Sequence, residues 1–193
     1  MGKKLDLNKY LQKTVVKRYF VKGVLQNIHG EHSERKLEKD QLVHTFPKNE
    51  KEELLVPLGG ERGYIMGALR YALYDIYKDQ LQNKKWEGYG MKTMLEHGVF
   101  ITPKWIPVGK KISNPLDKPK KYLVQAKGKG GGTFPVYYDY VDKADFTLTI
   151  EITNSRILED IFLSMLAHIQ RLGIGPKRRG KITLVVERGS NGD

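Results

Sequence analysis

The C-terminal third of the sequence constrains the fold most, because it contains a strand, a helix, a glycine loop and a second strand in succession. From Asp145 to Ile152 apolar and polar residues alternate without a fault, which predicts a strand with one buried face. Lys181 to Glu187 alternates in the same way. Between them lies an amphipathic helix, predicted to be capped by Asn154 or Ser155. Its apolar stripe, long enough to cover a sheet face, consists of Ile157, Leu158, Ile161, Phe162, Met165, Leu166, Ile169 and Leu172.

The earlier part of the chain predicts two further strands and one more helix. Thr14 to Leu25 is rich in β-branched and aromatic residues and indicates a first strand. Gly63 to Leu81 has the spacing of an amphipathic helix, whereas His97 to Val108 indicates an edge strand with prolines near its end. The helical stripe is formed by Ile65, Leu69, Ala72, Leu73 and Ile76, and it is widened by Tyr71, Tyr74 and Tyr77.

Two polar segments separate these elements and are predicted to be insertions. Residues 26–57 are crowded with charged and histidine side chains and indicate a surface excursion. Residues 103–141 are basic and rich in turns and aromatics, and they indicate a protruding hairpin or lobe. The remaining order is β-α-β-β-α-β, which is an α+β, ferredoxin-like (RRM-like) pattern. We therefore expect one domain over residues 1–193 with two insertions.

The charge of the chain points to an anionic partner. There are 34 basic and 22 acidic residues, a net charge of +12 over 193 residues, and such an excess favours a nucleic acid. Thermophilic proteins are also rich in Lys and Glu, but their charges are more nearly balanced. The absence of cysteine excludes disulfides and thiolate metal sites. No apolar run approaches 18 residues and no signal-peptide pattern is present, so a cytoplasmic protein without a membrane span is expected.

The loop between the last helix and the last strand is the strongest candidate for a binding site. Glycines allow sharp turns and close approach of the backbone, and the cations suit a polyanion. Because the order is helix, loop, strand, a bound anion meets no helix N-terminus, which argues against a nucleotide-hydrolysing site. A helix C-cap explains Gly173 alone, but not the rest of the loop. The candidate residues are Gly173, Gly175, Lys177, Arg178, Arg179, Gly180 and Lys181.

Three segments resemble the RAMP superfamily, the RNA-binding proteins of CRISPR systems that are built on ferredoxin-like domains. The glycine loop at 173–181 is similar to the glycine-rich loop of that family. Val56 to Arg70 (VPLGGERGYIMGALR) resembles its proline-glycine turn and first helix, although the usual serine pair and lysine are absent. Val141 to Ile152 resembles the strand before the last helix. The three occur in the family's order and cover about a third of the chain.

The resemblance implies a subunit that lines the guide RNA in a multi-subunit CRISPR effector. The partners would be guide RNA (crRNA), target nucleic acid and other effector subunits, with several copies along the RNA and no cofactor or metal. The lobe would correspond to the family's "thumb", where lysines lie among aromatic residues. Besides the glycine loop, the predicted RNA-binding residues are Arg62, Gly63 and Arg70 at the first helix, Lys17 and Arg18 in the first strand, and Lys104, Lys127 and Lys129 in the lobe.

Catalysis is an open alternative. Some RAMP endoribonucleases use a histidine after the first strand, where His29 and His32 fall, and some target-cleaving subunits use an aspartate there, for which Asp40 is the candidate. The histidine spacing matches no metal-binding motif. A guide-processing endoribonuclease, a target-cleaving backbone subunit and a general basic RNA-binding protein therefore remain as alternatives to a non-catalytic backbone subunit.

Overall fold

The computed structural model describes residues 17–31, 33–36, 42–81, 91–113, 119–125, 132–155 and 157–189. Within these ranges the chain has a mixed α+β fold. The helices are α1 (Tyr64–Leu81), α2 (Met91–Gly98) and α3 (Glu159–Leu172). The strands are β1 (Lys17–His29), β2 (Ser33–Lys36), β3 (Leu42–Thr45), β4 (Leu55–Val56), β5 (Val99–Thr102), β6 (Ile106–Pro107), β7 (Lys120–Gln125), β8 (Thr133–Tyr138), β9 (Tyr140–Ile152) and β10 (Lys181–Arg188).

The main sheet has the strand order β10-β1-β9-β5, and each neighbouring pair is antiparallel. The two 13-residue strands β1 and β9 form its centre, paired from Lys17 with Ile152 to His29 with Tyr140. The alternation in β9 produces the predicted faces, because its apolar side chains are buried and its threonines point away. The buried set in β9 includes Phe146, Leu148, Ile150 and Ile152.

Helices α1 and α3 cover one face of this sheet. Helix α1 confirms the predicted span almost to the residue, and Ile65, Leu69 and Ala72 are buried in the core. Tyr71 and Tyr74, expected to widen the apolar stripe, are instead 53% and 55% exposed. That expectation was wrong because the buried stripe of α1 is narrow and both tyrosines lie outside it. The side chain of Tyr77 lies outside the described residues.

Helix α3 forms where predicted but begins later. The predicted caps Asn154 and Ser155 precede it by several residues, and Leu158 occupies the cap position without a side-chain hydrogen bond. The Ile157 N–H donates to the Asn154 carbonyl instead, so a turn separates β9 from the helix. Glu159 and Asp160 stand in the first helical turn, where carboxylates interact favourably with the helix dipole.

The second predicted strand region contains a helix end and two short strands. His97 lies in the last turn of α2, and the edge strand β5 follows it over four residues. After a cis peptide bond between Thr102 and Pro103, β6 pairs with β4. The single strand expected over His97 to Val108 was therefore wrong in extent, since the prolines end it early.

The two predicted insertions form one second sheet. Its order is β2-β3-β8-β7, and β3 from the first insertion runs parallel to β8 from the second. The later part of the first insertion also enters the main core, where Phe46, Leu54 and Val56 are buried. The interpretation of residues 26–57 as a surface excursion was thus wrong for that part. Residues 33–36 of this segment form β2, and residues 37–41 lie outside the described ranges.

Several connections meet at one end of the main sheet, which we call the loop end. Strand β1 finishes there, β9 and β10 begin there, and α3 arrives there before the glycine loop. Helix α1 also starts at this end, because the ring of Tyr64 lies against Gly175. The opposite end, where β1 starts and β9 and β10 finish, is called the far end.

Candidate nucleic-acid interface

The two ends of the glycine loop are joined by backbone hydrogen bonds, so the loop is closed at its base. Gly173 ends α3 with φ 77° and ψ 170°, and its N–H donates to the Ile169 carbonyl at 3.0 Å, so its predicted capping role is confirmed. Ile174 and Gly180 then exchange two backbone hydrogen bonds of 2.8 and 3.0 Å. Between them Pro176–Arg178 forms one 3-10 turn. The loop is therefore fixed at its neck and presents only its tip.

The tip of the glycine loop has a strained backbone and presents backbone N–H groups that donate no hydrogen bond to the described residues. Lys177 and Arg178 both have left-handed backbones, with φ values of 53° and 55°, a conformation that costs about 1–2 kcal/mol in each non-glycine residue. The N–H groups of Arg178, Arg179 and Gly180 donate within the loop. Those of Gly175 and Lys177 donate to no group in the described ranges. Strain and open amides are features of a site that receives an anion.

The three loop cations are held differently. Lys177 is exposed, Arg178 is exposed with its guanidinium carbon 4.5 Å from the centroid of Tyr71, and Arg179 is half-buried with its guanidinium carbon 3.4 Å from the centroid of Tyr122. No carboxylate of the described residues lies within 4.0 Å of their side-chain nitrogens. Aromatic rings hold these arginines without neutralising them.

The start of α1 adjoins the loop but has little free backbone. Gly63 is buried, and a Cβ there would lie 2.1 Å from the Gly59 carbonyl oxygen, so the backbone makes a close contact at this glycine. The N–H groups of Tyr64 and Ile65 donate to the carbonyls of the preceding turn. Exposed Arg62 is consequently the group at this helix start that can reach a ligand. Gly67, in the next turn of α1, has open space where its Cβ would be.

Beneath the loop lies a tyrosine cluster, formed by Tyr122, Tyr138 and Tyr140 around His29. The His29 Nε2 and the Tyr122 hydroxyl are 2.9 Å apart, and the ring centroids of Tyr122 and Tyr138 lie 5.4 and 5.7 Å from that of His29. The Lys120 ammonium lies 3.8 Å from the centroid of Tyr140. The lobe strands are thereby packed onto the end of β1.

Asn27 links this cluster to the loop backbone. Its left-handed conformation (φ 53°) is one that asparagine tolerates better than most residues. Its side-chain amide donates to the Arg179 carbonyl at 3.3 Å and accepts a hydrogen bond from the Lys120 ammonium. One side chain thus fixes the loop to the lobe.

His29 is buried, with 1% of its surface exposed. Burial, followed by the positive charges of Lys120 and Arg179, lowers its pKa to about 4. A neutral, enclosed imidazole of such low basicity is a weak general base and is screened from an RNA at the surface. The structure therefore offers no support for His29 in catalysis, and its contacts are those of a packing residue.

Several predicted RNA-binding cations lie elsewhere and are paired. Lys17 and Arg18 are at the far end, where Lys17 Nζ is 3.9 Å from Glu159 and an Arg18 nitrogen is 2.8 Å from Glu151. Arg70 lies two turns into α1 and forms a 2.9 Å ion pair with Glu96 of α2. Lys17 and Arg18 are therefore separated from the glycine loop, whereas Arg70 also donates to the Glu61 carbonyl at the start of α1.

Lys104 lies beside the turn that precedes α1. A Cβ at Gly60 would be 3.2 Å from its Cγ, and its ammonium lies 5.8 Å from the Trp105 centroid. His32, Asp40, Lys127 and Lys129 lie outside the described residues. In the described ranges no three His, Asp or Glu side chains group as metal ligands would, and no described helix combines the length and apolarity of a membrane span.

Sequence reasoning missed how the cluster supports the loop. Tyr122 and Tyr137 were expected only as stacking faces among the lysines of the lobe, and Tyr138 and Tyr140 received no role. Their density beside the lysines of the lobe is the signal that was available. The pairing of β3 with β8, which joins the lobe to the first insertion, could not be predicted from local sequence patterns.

No protein-family model matches the chain, and no curated protein matches its sequence. In structure it is similar to a chain of the type III-B Cmr-beta complex bound to cognate target RNA, with a TM-score of 0.46, 12% identity and coverage of 96% of this chain and 65% of that one. It is also similar to a chain of a type IV-B CRISPR complex, with a TM-score of 0.42, 13% identity and coverage of 88% and 90%. The chain thus spans just under two thirds of the first neighbour.

With TM-scores below 0.5, the similarity carries nothing further about what this chain binds or does. Its function has to be argued from the loop end itself.

Proposed function

We propose that the chain is an RNA-binding subunit of a multi-subunit CRISPR effector, built on a ferredoxin-like β-α-β-β-α-β core with an inserted lobe. The strand order β10-β1-β9-β5, with α1 and α3 on one face, supports that core. The lobe and residues 26–57 would together be the elaboration on it. The chain binds the phosphate backbone of a single RNA strand at the loop end.

One observation carries this proposal, namely that the two RNA-binding motifs predicted separately in sequence adjoin each other. The ring of Tyr64, at the start of α1, lies 3.1 Å from the position of a Gly175 Cβ. Arg178 bridges the same two elements by lying over Tyr71. Uncompensated cations and open amides on a fixed loop are suited to phosphate oxygens, which supply positioning and not sequence specificity. The observations favour no catalytic role.

The test compares two double variants of equal charge change. Lys177→Ala with Arg178→Ala removes the exposed loop cations, and Lys17→Ala with Arg18→Ala removes two cations at the far end. Binding of a fluorescent single-stranded guide RNA to the full chain is measured by anisotropy at increasing salt. The loop variant should bind roughly 10-fold to 100-fold more weakly and lose about 1.4 from the slope of log K against log salt, at about 0.7 per phosphate contact.

The far-end variant should keep the wild-type slope. Equal losses in both variants would mean that only net charge matters, and absence of RNA binding by the wild-type chain would remove the proposal. The CRISPR assignment is tested separately by electron microscopy of the chain purified with its native RNA. A helical assembly with a fixed nucleotide repeat is expected, and a single copy on unrelated RNA would contradict it.

A further inference from the structure

The outer face of α1 carries two exposed tyrosines that the core does not explain. Tyr71 and Tyr74 are each more than half exposed, and their i, i+3 spacing places them on one face, with Cβ atoms about 5–6 Å apart. The Arg178 guanidinium lies over the Tyr71 ring, with 4.5 Å between its carbon and the ring centroid. The glycine loop and this helix face thus form one continuous surface.

Charge along this surface changes from the loop outward. Lys177 and Arg178 are exposed at the loop. Further along, Asp75 of α1 lies 3.6 Å from His168 of α3, which shows that the two helices run side by side there. Arg171 is exposed one turn closer to the loop on α3, on the same face as His168. Cations therefore predominate on the helix face near the loop, where the described carboxylate is that of Glu31 beside Tyr64, and Asp75 lies beyond the tyrosines.

We propose that the helix face with Tyr71 and Tyr74 forms a base-stacking track for single-stranded RNA whose phosphates are held by the glycine loop, with Tyr74 meeting the bases and Tyr71 positioning Arg178. The inference rests on the proposed function and adds which side chains meet the bases. Aromatic faces beside a cationic groove bind single strands without sequence preference, since every base presents a π-face. Exposed tyrosine and arginine also occur at protein interfaces, but a cationic loop continuous with the rings favours a polyanion.

The two tyrosines have different roles in this track. Tyr74 presents an open ring and contacts a base directly. Tyr71 is a positioning residue, because its ring holds the Arg178 guanidinium flat against α1. Substituting both Tyr71 and Arg178 by alanine should therefore weaken RNA binding little more than Arg178→Ala alone. Tyr71→Phe keeps the ring and should restore wild-type binding.

The experiment uses two RNA probes that differ only in their bases. One is a single-stranded oligoribonucleotide, and the other is an abasic oligonucleotide of the same length and phosphate number. Tyr74→Ala should weaken binding of the intact probe about 10-fold and leave the abasic probe unchanged. Lys177→Ala should weaken both probes by the same factor. Phe100→Ala is the matched control, since Phe100 is 49% exposed on the opposite face of the sheet, and it should change neither.

The outcomes separate this inference from the proposed function. If Lys177→Ala weakens both probes but Tyr74→Ala has no effect on the intact one, the track is absent while phosphate binding by the loop stands. If Tyr74→Ala affects both probes equally, or Phe100→Ala matches its effect, base stacking is overturned. If Tyr74→Ala prevents assembly with other subunits at unchanged RNA affinity, the tyrosines contact protein and the inference is wrong. If Lys177→Ala affects neither probe, the proposed function itself fails.

Discussion

Cations at the two ends of strand β1 are held by different kinds of partner. At the far end, Arg18 and Arg188 lie 2.8 and 3.6 Å from carboxylates of Glu151 and Glu159. At the loop end, Arg178 and Arg179 lie over the rings of Tyr71 and Tyr122. A carboxylate cancels the field of a cation, whereas an aromatic ring fixes its position and leaves most of its charge available. The basic side chains named here are therefore paired with carboxylates at one end and with aromatic rings at the other.

The largest effect on this difference is expected from a substitution that disrupts the conformation of the glycine loop but leaves its cations in the chain. A Cβ at Gly173 would lie 2.5 and 2.7 Å from the carbonyl oxygens of Arg178 and Gly180, at a φ of 77°. Gly173→Ala should lower the free energy of unfolding by about 4 kcal/mol, because strain and a clash with backbone combine. Chemical denaturation would measure it, and RNA affinity should fall as Arg178 leaves Tyr71.

Gly67→Ala is the matched control for that substitution. Gly67 lies in α1 with open space around the added Cβ, so alanine should raise stability by roughly 0.5–1 kcal/mol. A Gly173→Ala variant as stable as wild type would show that the neck of the loop is not fixed.

The loop end should also be the more sensitive to acid. The folded pKa of His29 is lowered to about 4 from its ordinary value of 6.5, so between these values the unfolded chain binds a proton that the folded chain does not. Stability is then complete above pH 6.5 and falls as the pH drops toward 4, by up to about 3 kcal/mol. Lys120 and Arg179, the cations that face His29, reinforce this direction.

Denaturation curves of wild type and His29→Gln between pH 4 and 8 test this sensitivity. Carboxylates titrate in both proteins, so the difference between the two curves isolates His29. The stability of wild type relative to His29→Gln should fall below pH 6.5, and two parallel curves would contradict the buried, neutral histidine.

Sequence reasoning reached the main sheet but not the contacts that distinguish its two ends. Alternation in β9 and the helical stripe of α3 are local patterns, so they predicted the buried faces correctly except at Leu158, which is 61% exposed at the helix start. The glycine loop was found for the same reason, since its glycines and cations are adjacent in the chain. Partners such as Tyr122 for Arg179 or Glu151 for Arg18 are far apart in sequence and are chosen by strand register. For that reason Arg18 and Arg179 looked alike in sequence although their surroundings differ.

The smallest effect is expected from a direct comparison of the arginine–carboxylate pair with the arginine–tyrosine pair. A double-mutant cycle of Arg18→Ala with Glu151→Gln should give a coupling energy of about 0.5 kcal/mol at low salt, since both side chains are about a third exposed. The coupling should vanish in 1 M salt, where the Debye length is about 3 Å. A cycle of Arg179→Ala with Tyr122→Leu should give about 1 kcal/mol or more and change little with salt, because the guanidinium is half-buried on the ring. Equal salt sensitivity in the two cycles would mean that the ring and the carboxylate hold their arginines by the same screened charge interaction. The arginines at the loop end would then be no more available to an anion than those at the far end.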